Sequence, residues 1–220
     1  NYASRYKFTG FVGLSFAQIQ VSEPEFPDYR KSKDFFVRWN HTQDPKSNPT
    51  SRFSANVNAG SSNYQTYNSN TANEYLSNTF LSTVSWNKSW QGRPYNLSMN
   101  MAHSQTKRPR VDKKGMETIV DLTAPEVVFT RNRFYPLQRK NHIGKPNVFQ
   151  KIGTSFSLNA KNQITTGDSI LFKPESRDKL RNGLKATIPI STSMNIGPII
   201  IMPSASINNY GYFQSYRKYF

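Results

Sequence analysis

The sequence contains no cysteine among its 220 residues. This excludes a disulfide framework and metal sites built on thiolates. The three histidines, His41, His103 and His142, lie far apart without the spacing of metal ligands, so we expect no metal site and no cofactor. The P-loop, GxSxG and HExxH motifs are also absent, and Asp and Glu together number only 13. These absences predict that the protein is not an enzyme.

Hydrophobic residues are few for a soluble protein. They make up 35% of the chain, against about 45 to 50%, glycine included, in typical globular domains. Disorder does not explain this, because 14% of the residues are aromatic and disordered chains are poor in aromatic residues. No apolar run approaches the length of about 18 residues that a transmembrane helix needs. The chain is therefore predicted to fold by a route that uses few apolar side chains.

Negative charge is scarce, and the formal net charge is +16. Such an excess of Lys and Arg predicts an anionic partner, but charge alone does not distinguish nucleic acid, a membrane surface or a phosphorylated glycolipid. The sequence has no signal peptide and begins within a pattern, at "NYASRYKFTG". We therefore expect a mature or excised fragment.

What the sequence does contain is alternation with a period of two. In "PYNLSMNMAHS", residues 94 to 104, large side chains alternate with amide, hydroxyl and alanine side chains. Such alternation is typical of a strand with one apolar face. Helical periodicity is nearly absent. The sequence predicts about nine strands, at 5–21, 34–43, 51–65, 77–91, 94–106, 116–130, 147–163, 182–196 and 199–214.

The connections between these strands carry a second signal, because their lengths alternate. Successive connections of an antiparallel meander lie at opposite ends of the sheet, so that one end has tight turns and the other has long polar loops. Outer-membrane barrels have this asymmetry. The predicted long connections are 22–33, 66–76, 107–115 and 164–181, the short ones are 44–49, 92–94 and 197–198, and 131–146 is a long exception on the short side.

We interpret the strands as part of a membrane-spanning wall. Strands can cross hydrocarbon only in a closed barrel, where every backbone group is paired. Lipid then takes the place of a core, which explains the low hydrophobic content. The predicted fold is all-β, an antiparallel up-and-down transmembrane β-barrel. Residues 1–220 would form a segment of one outer-membrane β-barrel domain that is incomplete at both ends.

The pattern assigns side chains to two surfaces. Trp86, Trp90, Tyr95, Phe129, Tyr135 and Phe149 lie near predicted strand ends, as in an interfacial aromatic girdle; the alternative is that aromatic residues pack the core of a β-sandwich. Arg38 and Lys185 are predicted to point inward, and the basic clusters at 107–114, 131–145 and 173–181 to lie between strands. The residues predicted to face lipid are Phe53, Val57, Leu97, Met99, Phe156, Leu158, Ile188 and Ile190.

Three prolines fall within predicted strands, where proline removes a ladder hydrogen bond. They are Pro125, Pro189 and Pro203. Bulges or strand ends are the favoured explanation, because strand prolines normally lie there. The alternative is locally weakened pairing that allows the wall to flex.

Several segments together resemble a known family: "SKDFFVRWNHTQDPKSNP" (32–49), "FSANVNAGSSNY" (53–64), "SWQGRPYNLSMNMAHSQ" (89–105), "NRFYPLQRK" (132–140) and "NGLKATIPISTS" (182–193). In this order they resemble the barrel of the lipopolysaccharide-assembly outer-membrane protein LptD, in its divergent branch. The resemblance implies a non-catalytic translocon in the outer membrane of a Gram-negative bacterium. It would insert lipopolysaccharide into the outer leaflet, with an LptE-like lipoprotein in its lumen and a periplasmic lipopolysaccharide-transport bridge as a further partner.

If the resemblance holds, the basic residues have a use. Lipopolysaccharide carries phosphates, with which Arg and Lys form charge-assisted hydrogen bonds. Solvated loops with a general attraction for anionic headgroups are the alternative. The candidates for contact with lipopolysaccharide or other anions are Arg38, Lys107, Arg108, Arg110, Lys113, Lys114 and Lys185.

Three functions are therefore in competition. The first is the lipopolysaccharide translocon, which involves a membrane and no nucleic acid. The second is another outer-membrane channel or transporter with a polar lumen. The third is a soluble, basic all-β protein that binds nucleic acid. A barrel wall should require detergent or lipid, whereas the third kind of protein should not.

Overall fold

The computed structural model describes residues 1–27, 29–61, 64, 79–109, 116–138, 147–171 and 173–213. They form one antiparallel sheet of ten strands in the order β1-β2-β3-β4-β5-β6-β7-β8-β9-β12, and β10 and β11 pair separately. Two 3-10 helices cover Val148–Lys151 and Pro174–Lys179. The strands are β1 (Tyr2–Ser4), β2 (Phe8–Val21), β3 (Arg30–Gln43), β4 (Ser51–Gly60), β5 (Thr79–Ser89), β6 (Tyr95–Pro109), β7 (Met116–Phe134), β8 (Gly153–Gly167), β9 (Leu180–Ser191), β10 (Met194–Ile196), β11 (Ile199–Ile201) and β12 (Ser204–Tyr212).

The all-β, up-and-down antiparallel architecture confirms the predicted fold class. Each of the nine predicted segments contains strand, but 182–196 and 199–214 are each divided into two strands, and 147–163 begins with a 3-10 helix. β1 precedes the first predicted segment and was not predicted. A turn at 5–7, where Tyr6 has φ of 59°, separates β1 from β2. The described sheet is open, because β1 and β12 each have one neighbour. It therefore has the form of a wall segment.

The register divides the sheet into two chemically different faces. Residues paired across antiparallel strands lie on the same face. One row, which we take to define the apolar face, runs Phe53–Trp86–Met99–Val127–Ala160–Leu184. The adjacent row, on what we call the polar face, runs Ser54–Ser85–Asn100–Glu126–Lys161. The alternation predicted from the sequence thus extends across the sheet.

The sheet is a single layer. In the part of the chain that the structure describes, the second sheet is only the β10–β11 hairpin. Large apolar residues stay uncovered, and Leu14 and Phe16 are 75% and 71% exposed. A β-sandwich would bury such residues between two sheets. The sandwich alternative is therefore wrong for these residues.

The connections lie at two ends of the sheet. At one end of the sheet, here called the loop end, the strands are separated in sequence by 22–29, 61–78, 110–115 and 168–179. At the other, the turn end, they are separated by 5–7, 44–50, 90–94, 135–152 and 192–203. The predicted length asymmetry is weaker than expected, because β6 extends through Pro109 and leaves a short connection where we predicted a long one. The predicted exception is present as 135–152.

The prolines lie where pairing is irregular. Pro125 follows a cis peptide bond and lies at the register shift between Thr123 and Glu126 of β7. At Pro189 the β8–β9 ladder is interrupted, and the Thr154 hydroxyl donates to its carbonyl at 3.0 Å. Pro203 lies between the β9–β12 and β10–β11 ladders. Pro125 and Pro203 thus lie at a bulge and between strands, as the favoured interpretation predicts. Pro189 instead lies within β9, where the pairing with β8 is interrupted without a register shift, as the alternative of locally weakened pairing predicts.

The two ladders on either side of Pro203 belong to one hairpin. Between them the Thr192 N–H donates to the Pro203 carbonyl at 3.2 Å, which keeps the two strands in the same register. Gly197, with φ of 60°, begins the turn with Pro198. A side chain is disfavoured at such φ, which explains the glycine. The tight turn predicted at 197–198 is confirmed.

The seam between β4 and β5 opens toward the loop end. Its ladder stops at Asn56 and Thr83, although β4 continues beside β3 and β5 beside β6. The Ser82 hydroxyl takes over the pairing: it accepts from the Asn58 N–H at 3.0 Å and donates to the Asn58 carbonyl at 2.9 Å. Ser82 is only 7% exposed, so water does not easily replace it. One side chain thus satisfies the backbone where the ladder is missing.

Replacing Ser82 by Ala should weaken this seam. The Asn58 N–H and carbonyl would lose their partner in a buried position, and we expect a loss of about 1–3 kcal/mol in the free energy of unfolding. Denaturant unfolding of the complete protein in detergent, followed by tryptophan fluorescence, measures it. Thr83→Ala, at an exposed polar-face position, should change stability by less than about 0.5 kcal/mol. Equal effects of the two substitutions would contradict the role assigned to Ser82.

Candidate functional site

The candidate site is the pair of faces of the sheet. Among the described residues, no group of three or more His, Cys, Asp or Glu side chains could hold a metal ion. No helix in this part of the chain is long and apolar enough to cross a bilayer.

The eight residues predicted to face lipid all share the apolar face. They belong to β4, β6, β8 and β9, and the register joins them through rows such as Leu97–Phe129–Leu158–Ala186. Each is partly exposed rather than buried. Side chains as far apart in sequence as Phe53 and Ile190 thus form one continuous apolar surface.

The height of this surface can be estimated on β2. From Phe8 to Phe16 its apolar-face positions are apolar residues or glycine, and polar residues begin at Gln18. At about 3.3 Å per residue these eight steps span about 26 Å along the strand. Strands of outer-membrane barrels are tilted by about 40° from the barrel axis, and with this tilt the apolar stretch of β2 would be about 20 Å high along the axis. This is close to the height of about 25 Å of the apolar band on such barrels.

Aromatic residues are concentrated on the apolar face near the turn end. One group is built on the first four strands, where the Tyr2 and His41 rings stack at 5.7 Å and Trp39 and Phe53 lie at 6.2 Å. A second group continues it, with Tyr95 stacked on Phe129 at 5.9 Å. Together they form a belt along one end of the sheet.

The belt has polar contacts at its ring edges. Trp39 Nε1 donates to the Tyr2 hydroxyl at 2.9 Å, and that hydroxyl lies 2.8 Å from His41 Nδ1. The Arg131 guanidinium, on the same face, lies 3.6 Å from the centre of the Phe134 ring. Rings with one apolar and one polar side, and long cations that reach outward, are typical of a membrane interface.

All six aromatic residues of the predicted girdle lie at the turn end. Trp86, Tyr95 and Phe129 belong to the belt, while Trp90, Tyr135 and Phe149 lie in its connections. The prediction omitted Tyr2, Phe8, Trp39 and His41, which also belong to the belt; the Phe8 ring lies 6.0 Å from that of Tyr2 and 5.5 Å from that of His41. The sequence signal was present in "RWNHT", where Trp39 and His41 occupy alternate positions near the end of β3.

The polar face is joined by hydrogen bonds between side chains of neighbouring strands. Examples are Ser54 with Ser85 at 2.7 Å and Asn159 Nδ2 with Glu126 Oε1 at 3.1 Å. Most of its groups are amides and hydroxyls, which bind water and sugars without a strong charge. This face can therefore border an aqueous space.

Two of the seven predicted anion-contact residues lie far apart on the polar face. Arg38 on β3 and Lys185 on β9 lie exposed on the polar face, six strands apart in the sheet order. Arg38 lies 5.5 Å from the Phe36 ring, and Lys185 lies 5.4 Å from the Tyr210 ring. Each is thus an individual cation beside an aromatic ring.

The prediction that Lys107 and Arg108 lie between strands was wrong. Both belong to β6, paired with Thr118 and Glu117, because the β6–β7 ladder continues to Pro109. Lys107 lies on the apolar face, near the loop end. The remaining candidates, Arg110, Lys113 and Lys114, fall outside the described residues.

A basic basin that sequence reasoning missed lies at the turn end. It has a volume of about 500 Å³, and its lining includes Arg133 and Lys151. The sequence showed a basic cluster at 131–145, but it did not show that Arg133 would lie against Gly153 and Ser191. Those contacts depend on the pairing of β7, β8 and β9.

Comparison with known proteins agrees with the chemistry of the two faces. The family model described as LptD protein matches residues 1–220. No curated protein and no solved structure matches the chain. A match over the whole chain, on a sheet with one apolar and one polar face, places the chain in that family. The chain therefore belongs to the LptD family, the outer-membrane β-barrel proteins of lipopolysaccharide transport.

Proposed function

We propose that residues 1–220 form part of the wall of a translocon that inserts lipopolysaccharide into the outer leaflet without catalysing a reaction. The observation that carries this proposal is a single-layer sheet with one apolar and one polar face, in a chain that the LptD family model matches throughout. A wall between hydrocarbon and water requires such a division. Lipopolysaccharide requires the same division, because it has acyl chains and phosphorylated sugars.

The apolar face is proposed to contact hydrocarbon. Its height on β2 is close to that of a barrel's apolar band, and its aromatic belt lies at one limit of that band. At the other limit of the band, toward the loop end, the apolar face carries polar residues, because Lys33 of β3 is paired with Gln18 of β2. Phe53, Val57, Leu97, Met99, Phe156, Leu158, Ile188 and Ile190 would then be lipid-facing.

The polar face is proposed to line the lumen. Its amide and hydroxyl groups can hydrogen-bond to sugars and water, while Arg38 and Lys185 can pair with phosphates. An LptE-like lipoprotein in the lumen would contact the same face. Short turns of outer-membrane barrels lie in the periplasm, so the turn end would face the periplasmic lipopolysaccharide-transport bridge.

The open edges suggest how the wall continues. Along most of β2 and along β12, one side of the strand has no neighbour among the described strands. Backbone groups at such edges cannot remain unpaired in hydrocarbon. We infer that further strands of the same barrel pair with both edges, which makes residues 1–220 a segment of one barrel domain.

Matched arginine substitutions on β8 test the assignment of the faces. Leu158 and Ser157 are neighbours on opposite faces. Leu158→Arg should lower the stability of the folded barrel by about 2–4 kcal/mol if its site lies near the bilayer midplane. Ser157→Arg, on the face that would border water, should change it by less than about 0.5 kcal/mol. Denaturant unfolding in lipid vesicles gives both values. A larger cost for Ser157→Arg would reverse the two faces.

Depletion of the protein in its own bacterium tests the function. Newly made lipopolysaccharide should no longer reach the cell surface, where it can be labelled by a reagent that does not cross the outer membrane. Re-expression should restore labelling, and a lumen lipoprotein should copurify with the barrel. Surface lipopolysaccharide that stays unchanged after depletion would favour a different channel.

A further inference from the structure

The basic basin at the turn end, here called the Arg133 basin, has features of a built site. It lies between the end of β7, the 3-10 helix Val148–Lys151 and residues 191–193. Its polar lining includes Arg133, Lys151, Gln138, Gln150 and Ser193. No Asp or Glu is among the described residues that line it. The basin is therefore a concave surface of positive charge with uncharged hydrogen-bonding groups around it.

Arg133 is held in place rather than extended freely into solvent. Its Nη2 donates to the Ser191 carbonyl at 3.2 Å, and its guanidinium carbon lies 5.5 Å from the centre of the Tyr135 ring. The side chain crosses Gly153, where a Cβ would collide with Arg133 Nε. Gly153 is buried. The absence of a side chain at residue 153 thus provides the space in which the guanidinium lies.

A fixed guanidinium with free donors matches a phosphate group. Arginine carries five N–H donors, and the bond to Ser191 leaves others available. Guanidinium groups bind phosphate through two parallel hydrogen bonds, and fixing the fork in advance reduces the entropy lost on binding. Lys151 adds a second positive charge. These two cationic side chains favour binding of a doubly charged anion over a neutral sugar.

An apolar surface adjoins the basin. Met202, which lines it, is 72% exposed, and Ile200 of the β10–β11 hairpin, on the same face as Met202, is 62% exposed. Exposed apolar groups of this size beside a cationic site suit a ligand with both a phosphate and hydrocarbon chains. A free phosphate ion would use only the cationic half of this surface.

We propose that the Arg133 basin binds the phosphate of a phosphorylated glycolipid, whose acyl chains lie along the β10–β11 hairpin. The identity of the lipid as lipopolysaccharide on its way into the barrel rests on the proposed function, whereas the phosphate chemistry does not. At the turn end, the basin would hold the lipid at the entrance of the wall.

Binding to the purified complete protein in nanodiscs tests the site. The probes are diphosphorylated lipid A, dephosphorylated lipid A and inorganic phosphate. Diphosphorylated lipid A should bind best. Arg133→Gln should weaken its binding by about tenfold or more, since one charge-assisted hydrogen-bond pair is lost. Arg93→Gln, an exposed residue of the 90–94 turn at the same end, is the matched control and should bind like the wild type.

Two further variants separate the parts of the proposal. Lys151→Gln should also weaken binding of the phosphorylated lipid, and it keeps the test open if Arg133→Gln folds poorly. Ile200→Asn, which removes the apolar side chain without adding charge, should weaken binding of lipid A while leaving inorganic phosphate binding unchanged. Wild-type affinity in both Arg133→Gln and Lys151→Gln would overturn the site. Equal affinity for lipid A and inorganic phosphate would overturn the glycolipid as ligand.

The outcome is distinguishable from failure of the proposed function. Surface labelling of lipopolysaccharide in cells that depend on the wild-type protein reports the function alone. If labelling depends on the protein while the basin binds no phosphorylated lipid, the inference fails and the proposed function stands. If the basin binds the lipid while labelling is independent of the protein, the proposed function fails and the phosphate site stands.

Discussion

The structure depends on the pairing of every backbone group within a single layer. A one-layer sheet has no core that could compensate for unpaired N–H and C=O groups, and hydrocarbon offers them no partner. Where the ladders stop, side chains complete the pairing. Ser82 bridges both backbone groups of Asn58, Gln43 Oε1 accepts from the Phe53 N–H at 2.8 Å, and the Thr154 hydroxyl donates to the Pro189 carbonyl. Hydroxyl and amide residues are thus part of the framework of the wall.

The same constraint explains the composition of the chain. A soluble domain must bury apolar side chains within itself, whereas a wall needs them on one face only. The four buried hydrophobic residues of the described chain, Ala55, Phe80, Val120 and Ile164, contrast with many exposed large ones. Low hydrophobic content and abundant aromatic residues are therefore compatible in one folded protein. Membership of the LptD family agrees with this low content of hydrophobic residues, because its members are outer-membrane barrels of lipopolysaccharide transport.

Much of the fold could be predicted from alternation, but the bulges could not be placed. In β7 the apolar face carries Val120 and Leu122 and then Val127 and Phe129, so that the alternation changes phase at Pro125. The pattern "TAPEVV" contains the proline that marks the irregularity, but the residue at which pairing resumes depends on β6 and β8. Likewise, the end of β6 was predicted too early. The segment "KRP" contains two charged residues and a proline, which are unfavourable in a strand, and only its pairing with 116–118 shows that β6 continues through it.

The sequence by itself determined the division into two faces, because a period of two assigns each residue of a strand to one side or the other. It also determined the fold class, the prolines at irregular positions and the turn at Gly197 and Pro198. Only the tertiary structure decided which cations and aromatic residues lie together. The aromatic belt joins residues from Tyr2 to Phe129, and the contacts of Arg133 come from residues 153 and 191. These proximities arise from pairing between distant strands, which no local pattern specifies.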